Sequence, residues 1–154
     1  MIRKDIRNGR VRQVMRQLGH AYQITGKVVR GRQLGRTIGF PTINVNYGRQ
    51  LLPGNGVYSA LVGHDGRLYP AMANVGNNPT VSDGSRRTLE AHIFDFSEDL
   101  YGQLVTVNFI DFIRRDRKFD SVKELTEQLK KDSEAARQTL SQYKQPHNAK
   151  GSES

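Results

Sequence analysis

The stretch VYSALVGHDGRLYPAMANV, residues 57–75, contains two apolar runs on either side of the pair Asp65-Gly66. An Asp-Gly pair readily adopts the positive backbone φ angles of the tightest hairpin turns. The runs at residues 57–62 and 68–75 are therefore predicted to pair as antiparallel strands. This hairpin is the first indication of an all-β core.

Short runs with strand character recur on both sides of this hairpin. In residues 22–28 apolar or small residues alternate with polar ones, and similar runs follow at residues 43–45, 89–96 and 104–113. Turn residues separate the six runs, and no helical pattern lies between them. The sequence therefore predicts an antiparallel barrel or sandwich and excludes a parallel sheet built from β-α-β units.

Helical spacing occurs only at the two ends of the chain. Ser121 and Glu124 form a capping box, and apolar residues then keep helical spacing to residue 140. This helix is predicted to cover one open side of the barrel. The first twenty residues predict two short helices around a turn at Asn8-Gly9. Residues 144–154 contain no cluster of apolar residues that could be buried, and they are predicted to be disordered.

Composition narrows the class of protein. The 154-residue chain fits one domain, contains no cysteine and has no apolar run of the roughly 20 residues that a membrane span needs. We expect a cytoplasmic protein without membrane contact. The net charge of +9 invites a nucleic-acid partner, but the N-terminal cluster of basic residues lacks aromatic residues for base stacking. Solvated helix faces are the favoured explanation of that cluster.

The segment GRTIGFPTIN, residues 35–44, carries the first candidate site. Its glycines allow close backbone approach to phosphate oxygens, although a plain barrel turn would explain them too. Thr42 and Asn44 offer hard oxygen atoms on one face of a strand, which suits Mg²⁺, or they form a polar strand start. The candidate phosphate-binding residues are Gly31, Arg36, Gly39, Thr42 and Asn44, and the candidate metal ligands are Thr42 and Asn44.

A second candidate lies in TLEAHIFDF, residues 88–96. On a strand, Glu90 and His92 share one face, beside apolar surface. Glu90 is either an exposed strand residue or a positioned general base. His92 is interpreted as structural, or as a residue that orients Glu90, rather than as a metal ligand.

A third candidate is FIRRDRKFDS, residues 112–121, which leads into the capped helix. Arg114, Phe119 and Asp120 can contact an aromatic, polar ligand beside a helix N-terminus, which attracts anions. The alternative is a loop of solvated charges with Phe119 packed into the core.

These segments together resemble the riboflavin kinases. GRTIGFPTINV, LPGNGVY, NVGNNPT, LEAHIFDF, LYGQLVTVNFIDFIR and KFDSVKEL occur in the order typical of that family, and the resemblance covers residues 22–140. It is greatest to the kinase module of the bacterial enzyme that makes FMN and then FAD. Two positions differ from the family's usual pattern: Asp116 stands where Glu is common, and Lys123 where some members have an acidic residue.

The resemblance implies a fold, a reaction and residue roles. The fold would be a six-stranded antiparallel Greek-key barrel with a C-terminal helix and a short N-terminal helical segment. The reaction would be ATP-dependent phosphorylation of the ribityl 5′-hydroxyl of riboflavin, giving FMN and ADP. Glu90 would be the catalytic base, and Thr42 and Asn44 would serve Mg²⁺ and the phosphates. The flavin would lie against Arg114, Phe119, Asp120 and Val122.

The same resemblance implies how the chain is divided. Residues 1–20 resemble the segment that joins the adenylyltransferase module to the kinase, residues 21–143 form the kinase domain, and residues 144–154 form the tail. We expect a monomer that makes FMN but not FAD, with small-molecule substrates and no nucleic-acid partner. The alternative is a non-catalytic barrel that binds nucleic acid or carries flavin.

Overall fold

The computed structural model describes residues 2–30, 38–77 and 87–143 of the chain. Within these residues there are three α-helices and six β-strands. The helices are α1 (Ile2–Arg7), α2 (Val11–Leu18) and α3 (Val122–Gln142). The strands are β1 (Tyr22–Val29), β2 (Ile43–Asn46), β3 (Gly56–His64), β4 (Arg67–Asn77), β5 (Arg87–Ile93) and β6 (Leu104–Arg114).

The six strands close into one antiparallel barrel in the order β1-β2-β5-β4-β3-β6. The predicted hairpin joins β3 to β4, and Asp65 and Gly66 have φ angles of 52° and 81° at its tip. Strands β3, β4 and β5 follow one another, and β6 returns to pair with β3, which is a Greek-key connection. The predicted barrel is therefore confirmed, and the sandwich is excluded.

Strand β5 shows how the pleat separates the barrel interior from the outer face. Leu89, Ala91 and Ile93 are buried and belong to the main hydrophobic core inside the barrel. Because side chains alternate along a strand, Glu90 and His92 point to the opposite, outer face. Both are only partly buried, so polar groups of β5 are available at the surface of a rigid wall.

Helix α3 packs on the outer surface of β3, β4 and β6. Its predicted cap is present, since the Ser121 hydroxyl accepts a hydrogen bond from the Glu124 amide at 3.1 Å. Met72, Phe94 and Ala136 form a second, smaller core beneath it. Because the barrel is closed, the helix covers its wall rather than filling an opening. Among the described helices, none is both long enough and apolar enough to cross a membrane.

The N-terminal helices are part of the folded unit despite their many basic residues. Val11 and Val14 are fully buried, and Val11 belongs to the main core. The Gly54 amide donates to the Ile6 carbonyl at 3.0 Å, which ties the α1–α2 turn to the segment before β3. The basic side chains of this region are exposed while its apolar side chains complete the barrel.

Candidate active site

Thr42, Asn44 and Glu90 lie side by side on the outer face where β2 pairs with β5. Asn44 is the direct register partner of Glu90. Thr42 and Asn44 alternate with Ile43 and Val45, which pack toward the main core, so their polar groups share the outer face. Directly opposed side chains on antiparallel strands lie about 5 Å apart. The structure therefore brings together three residues that are far apart in sequence.

A hydrogen bond joins the first and last of these residues. The Thr42 hydroxyl donates to Oε1 of Glu90 at 2.9 Å. A hydroxyl has one proton and two lone pairs, so donation to Glu90 leaves its lone pairs available for another group. Hydroxyl, amide and carboxylate oxygens are the hard donors that Mg²⁺ prefers, together with substrate phosphates and water. The residues at this site therefore fit that ion.

His92 contacts the segment that carries Thr42, rather than Glu90. Its Nδ1 lies 2.7 Å from the carbonyl oxygen of Pro41. The ring also meets Phe40 and Phe94 edge to face, with centroids 5.3 and 5.6 Å away. His92 thus holds the backbone immediately before Thr42, a more specific structural role than the sequence indicated.

On its other side, Glu90 neighbours the loop between β6 and α3. Its register partner on β4 is Asn74, and Gly76 follows two residues along that strand. A Cβ atom added to Gly76 would lie 2.6 Å from Oδ2 of Asp116, so the loop packs directly onto the bare backbone there. Two residues along a strand span about 7 Å. Glu90 therefore lies between the Thr42–Asn44 pair and this loop.

The predicted flavin-contact residues surround that loop, but they do not all face outward. Arg114 is mostly buried and its guanidinium is bound to Asp132 of α3. Phe119 is partly buried and stacks against the guanidinium groups of Arg114 and Arg117. The Asp120 side chain is exposed, and Val122 is 58% exposed, which is high for an apolar residue.

A cleft of about 450 Å³ opens beside Thr42 and Asn44. Residues at the end of β1 line its other side, and the segment between β5 and β6 completes it. The Arg30 guanidinium lies over the Tyr101 ring, 4.3 Å from its centroid. Glu90 is outside this lining and is linked to the cleft through Thr42. Sequence reasoning did not single out Arg30 and Tyr101 in this cleft, Asn74 opposite Glu90 or Asp132 beside Arg114, because only the folded chain brings these residues to their places.

Three further residues were predicted to bind phosphate, and the structure describes only one of them. Gly31 and Arg36 lie outside the described ranges. Gly39 is exposed with φ at +86°, a backbone conformation that glycine adopts without strain.

Across residues 2–30, 38–77 and 87–143, no group of three or more His, Cys, Asp or Glu side chains could hold a metal ion. A metal here would depend on mixed protein oxygens and phosphate.

A second cleft of about 450 Å³ lies beyond the start of β5. Arg3, Arg49 and Arg87 line it together with Tyr47. Arg87 also donates to Oδ1 of Asn55 at 2.8 Å, which fixes its orientation. This basic cleft is separate from Thr42 and Asn44.

Comparison with known proteins gives a consistent family assignment. The profile of the Flavokinase family, described as riboflavin kinase, matches residues 18–140. A bifunctional riboflavin kinase/FMN adenylyltransferase of Haemophilus influenzae is 42% identical over 137 residues, which cover 88% of this chain and 44% of that protein. An RNA-binding riboflavin kinase, RibR, of Bacillus subtilis is 43% identical over 109 residues, covering 71% and 47% of the two chains.

Solved structures share the fold. A Streptococcus pneumoniae crystal structure described as a macrolide-efflux protein superposes with a TM-score of 0.82 at 43% identity, covering 88% of this chain and 45% of that one. Riboflavin kinase from Trypanosoma brucei superposes with a TM-score of 0.59 at 24% identity, covering 83% and 85%. The chain spans somewhat less than half the length of the bifunctional relatives.

Proposed function

Because the chain belongs to the riboflavin kinase family, we propose that it transfers the γ-phosphoryl group of ATP to the ribityl 5′-hydroxyl of riboflavin. The products are FMN and ADP. One observation carries this proposal: Glu90 lies between an oxygen-rich pair that suits a metal–phosphate group and a loop that suits a flavin. Phosphoryl transfer depends on holding donor and acceptor in line, and a positioned carboxylate between them can orient the acceptor hydroxyl and take its proton.

Glu90 acts on the acceptor hydroxyl. Its carboxylate orients the 5′-hydroxyl in line with the γ-phosphorus and takes the hydroxyl proton as the new P–O bond forms. The bond between the γ-phosphorus and the β–γ bridging oxygen breaks, and ADP leaves with that bonding pair. Since Oε1 already accepts from Thr42, Oε2 is the oxygen assigned to the substrate.

Thr42 and Asn44 act on the donor. They would hold Mg²⁺ through the hydroxyl and amide oxygens, and Gly31, Arg36 and Gly39 are assigned to the phosphates. The bound ion would supply charge neutralisation at the phosphates. The Thr42–Glu90 hydrogen bond fixes the hydroxyl so that its lone pairs point away from the carboxylate. The neighbouring cleft, with Arg30 and Tyr101 at its edge, is assigned to the rest of the nucleotide.

The flavin is assigned to the loop that follows β6. Val122 offers exposed apolar surface at the first turn of α3, and Phe119, three residues earlier, offers a partly buried aromatic ring. Flat aromatic ligands bind to surfaces that combine apolar and aromatic groups with a few polar contacts. Asp120 supplies a polar group at the edge of this surface.

The test is incubation with riboflavin and Mg-ATP, followed by chromatography of the flavins. Formation of FMN with an equal amount of ADP is the expected result. Unchanged riboflavin that coelutes with the protein would instead indicate a flavin carrier. The same chromatogram tests the proposal that this chain forms FMN without FAD. We also propose that the protein is cytoplasmic and that it acts as a monomer. Sedimentation with and without substrates tests the oligomeric state.

The second, basic cleft supports one further candidate function, the binding of RNA. Arg3, Arg49 and Arg87 line one cleft, and the net charge is +9. Contacts to phosphates make RNA affinity fall steeply with salt concentration. Titration with labelled single-stranded RNA at physiological salt tests this candidate. Micromolar or tighter, salt-dependent binding that is lost in an Arg3→Ala/Arg49→Ala variant would support it, and weaker binding would remove it.

A further inference from the structure

Apart from the contact of Asp116 with the backbone at Gly76, the loop at residues 115–121 has little packing of its own. It joins β6 to α3, and all of its residues except Phe119 are exposed. Exposed segments with few apolar contacts open at low free energy, so the hydrogen bonds and ion pairs at their ends matter strongly for their conformation. The conformation of this loop therefore depends on its anchors.

Arg114, the last residue of β6, is the main anchor. Its Nε and Nη2 atoms donate to the Asp132 carboxylate at 2.8–3.0 Å in a forked arrangement. Its Nη1 atom donates to the Arg115 carbonyl oxygen at 2.9 Å. The Cζ atom of the guanidinium lies over the Phe119 ring, 5.6 Å from its centroid. One planar group thus contacts both the backbone at the start of the loop and the aromatic side chain near its end.

Asp132 sets the orientation of that guanidinium. It lies on α3 and is 1% exposed, the lowest exposure of any carboxylate in the described chain. Gln128, one turn earlier, donates to its Oδ1 at 2.9 Å. A forked carboxylate–guanidinium pair fixes both the position and the plane of the guanidinium. The sequence alone does not indicate this role, because Asp132 sits among polar residues in the middle of a long helix.

We propose that Asp132 is a positioning residue for flavin binding. Through Arg114 it fixes the Arg115 carbonyl and the Phe119 ring in the conformation that receives the flavin, and it does not itself contact the substrate. This inference rests on the proposed riboflavin kinase function. It assigns to Arg114 the support of the flavin loop rather than direct contact with the flavin.

The test is Asp132→Asn, which keeps the size of the side chain and removes its charge. Flavin affinity is measured by quenching of riboflavin and FMN fluorescence, independently of turnover. We expect the dissociation constant and the KM for riboflavin to rise about tenfold, as for a weakened charged hydrogen bond. The KM for ATP should stay within about threefold, because a loop anchor does not contact the nucleotide side.

The matched control is Asp95→Asn. Asp95 also pairs with an arginine of α3, Arg137, at 3.2 Å, but that pair is exposed. Exposed pairs contribute little, so flavin affinity should be unchanged. If Asp132→Asn binds flavin like the wild type, or only lowers the melting temperature, the positioning role is wrong.

A second variant, Arg114→Lys, covers the case in which Asp132→Asn does not fold. Lysine keeps a positive charge opposite Asp132 but cannot form the fork or stack a flat group on Phe119. Weaker flavin binding with an unchanged KM for ATP supports the proposal, and wild-type flavin affinity overturns it. If the wild-type protein neither binds nor phosphorylates riboflavin, the proposed function itself fails along with this inference.

Discussion

Replacing Glu90 by Gln removes a charge and a proton acceptor at the centre of the proposed site while preserving shape. The Gln Oε1 atom can still accept the hydrogen bond that the Thr42 hydroxyl now donates at 2.9 Å. The cross-strand neighbours Asn44 and Asn74 are neutral, so the substitution leaves no unpaired opposite charge on β2 or β4. We expect the variant to fold like the wild type.

The expected loss of turnover follows from the role assigned to the carboxylate. A positioned general base contributes roughly 100- to 10,000-fold, or about 2.7–5.5 kcal/mol of transition-state stabilisation. The bond to Thr42 persists, so metal and nucleotide binding should change little. The KM values for riboflavin and ATP should therefore remain within a few-fold, because the lost interaction matters mainly in the transition state.

The assay is steady-state formation of FMN, with single-turnover measurements to separate chemistry from product release. Asp111→Asn is the control. Asp111 lies on β6 and pairs with Arg12 at 3.2 Å at the surface, so its loss should leave turnover within a few-fold of wild type. Wild-type turnover in Glu90→Gln, or a comparable collapse in the Asp111 variant, would refute the assignment of the base.

Three further predictions follow from the described contacts. Thr42→Val keeps the β-branched shape but removes the metal-binding oxygen, so turnover should fall by orders of magnitude at low Mg²⁺, whereas Thr42→Ser should retain most of it; equal rates at every Mg²⁺ concentration would contradict this. His92→Phe keeps the aromatic packing but loses the contact to the Pro41 carbonyl, so the KM for Mg-ATP should rise about two- to tenfold while that for riboflavin does not change. Burial raises the pKa of the Tyr58 phenol above its ordinary value. Its protonated form is therefore favoured in the folded state, and this stability is complete below about pH 10 and declines above it, by up to about 1.4 kcal/mol per pH unit. In urea unfolding from pH 9 to 11, Tyr58→Phe should have a shallower decline, and an identical slope would show that Tyr58 does not contribute.

The strands and helices could be predicted from sequence because each has a strong local signal. The Asp65-Gly66 turn, the alternation along β5 and the Ser121 cap all act within a few residues. The choice between a barrel and a sandwich could not be made from these signals, since closure depends on the pairing of β1 with both β2 and β6. That choice came only from the resemblance to a family.

Only the part of the candidate site that has a local sequence signal could be predicted. Thr42 and Asn44 are neighbours in sequence, so their shared face could be predicted from strand periodicity. Their position next to Glu90 depends on the register of β2 against β5. Thr42 and Glu90, which form a hydrogen bond, are 48 residues apart in the sequence. The Arg114–Asp132 pair depends on how α3 packs against β6. Long-range contacts of this kind leave no local pattern in a single sequence.

The arrangement of donor, base and acceptor is tested most directly by a crystal structure of the protein with ADP, Mg²⁺ and FMN. We expect Mg²⁺ about 2.1 Å from the Thr42 hydroxyl oxygen. We also expect a Glu90 carboxylate oxygen about 2.6–3.2 Å from the 5′-oxygen of FMN, with the flavin ring against Phe119 and Val122. Nucleotide bound instead in the cleft of Arg3, Arg49 and Arg87, or a flavin remote from Glu90, would contradict it.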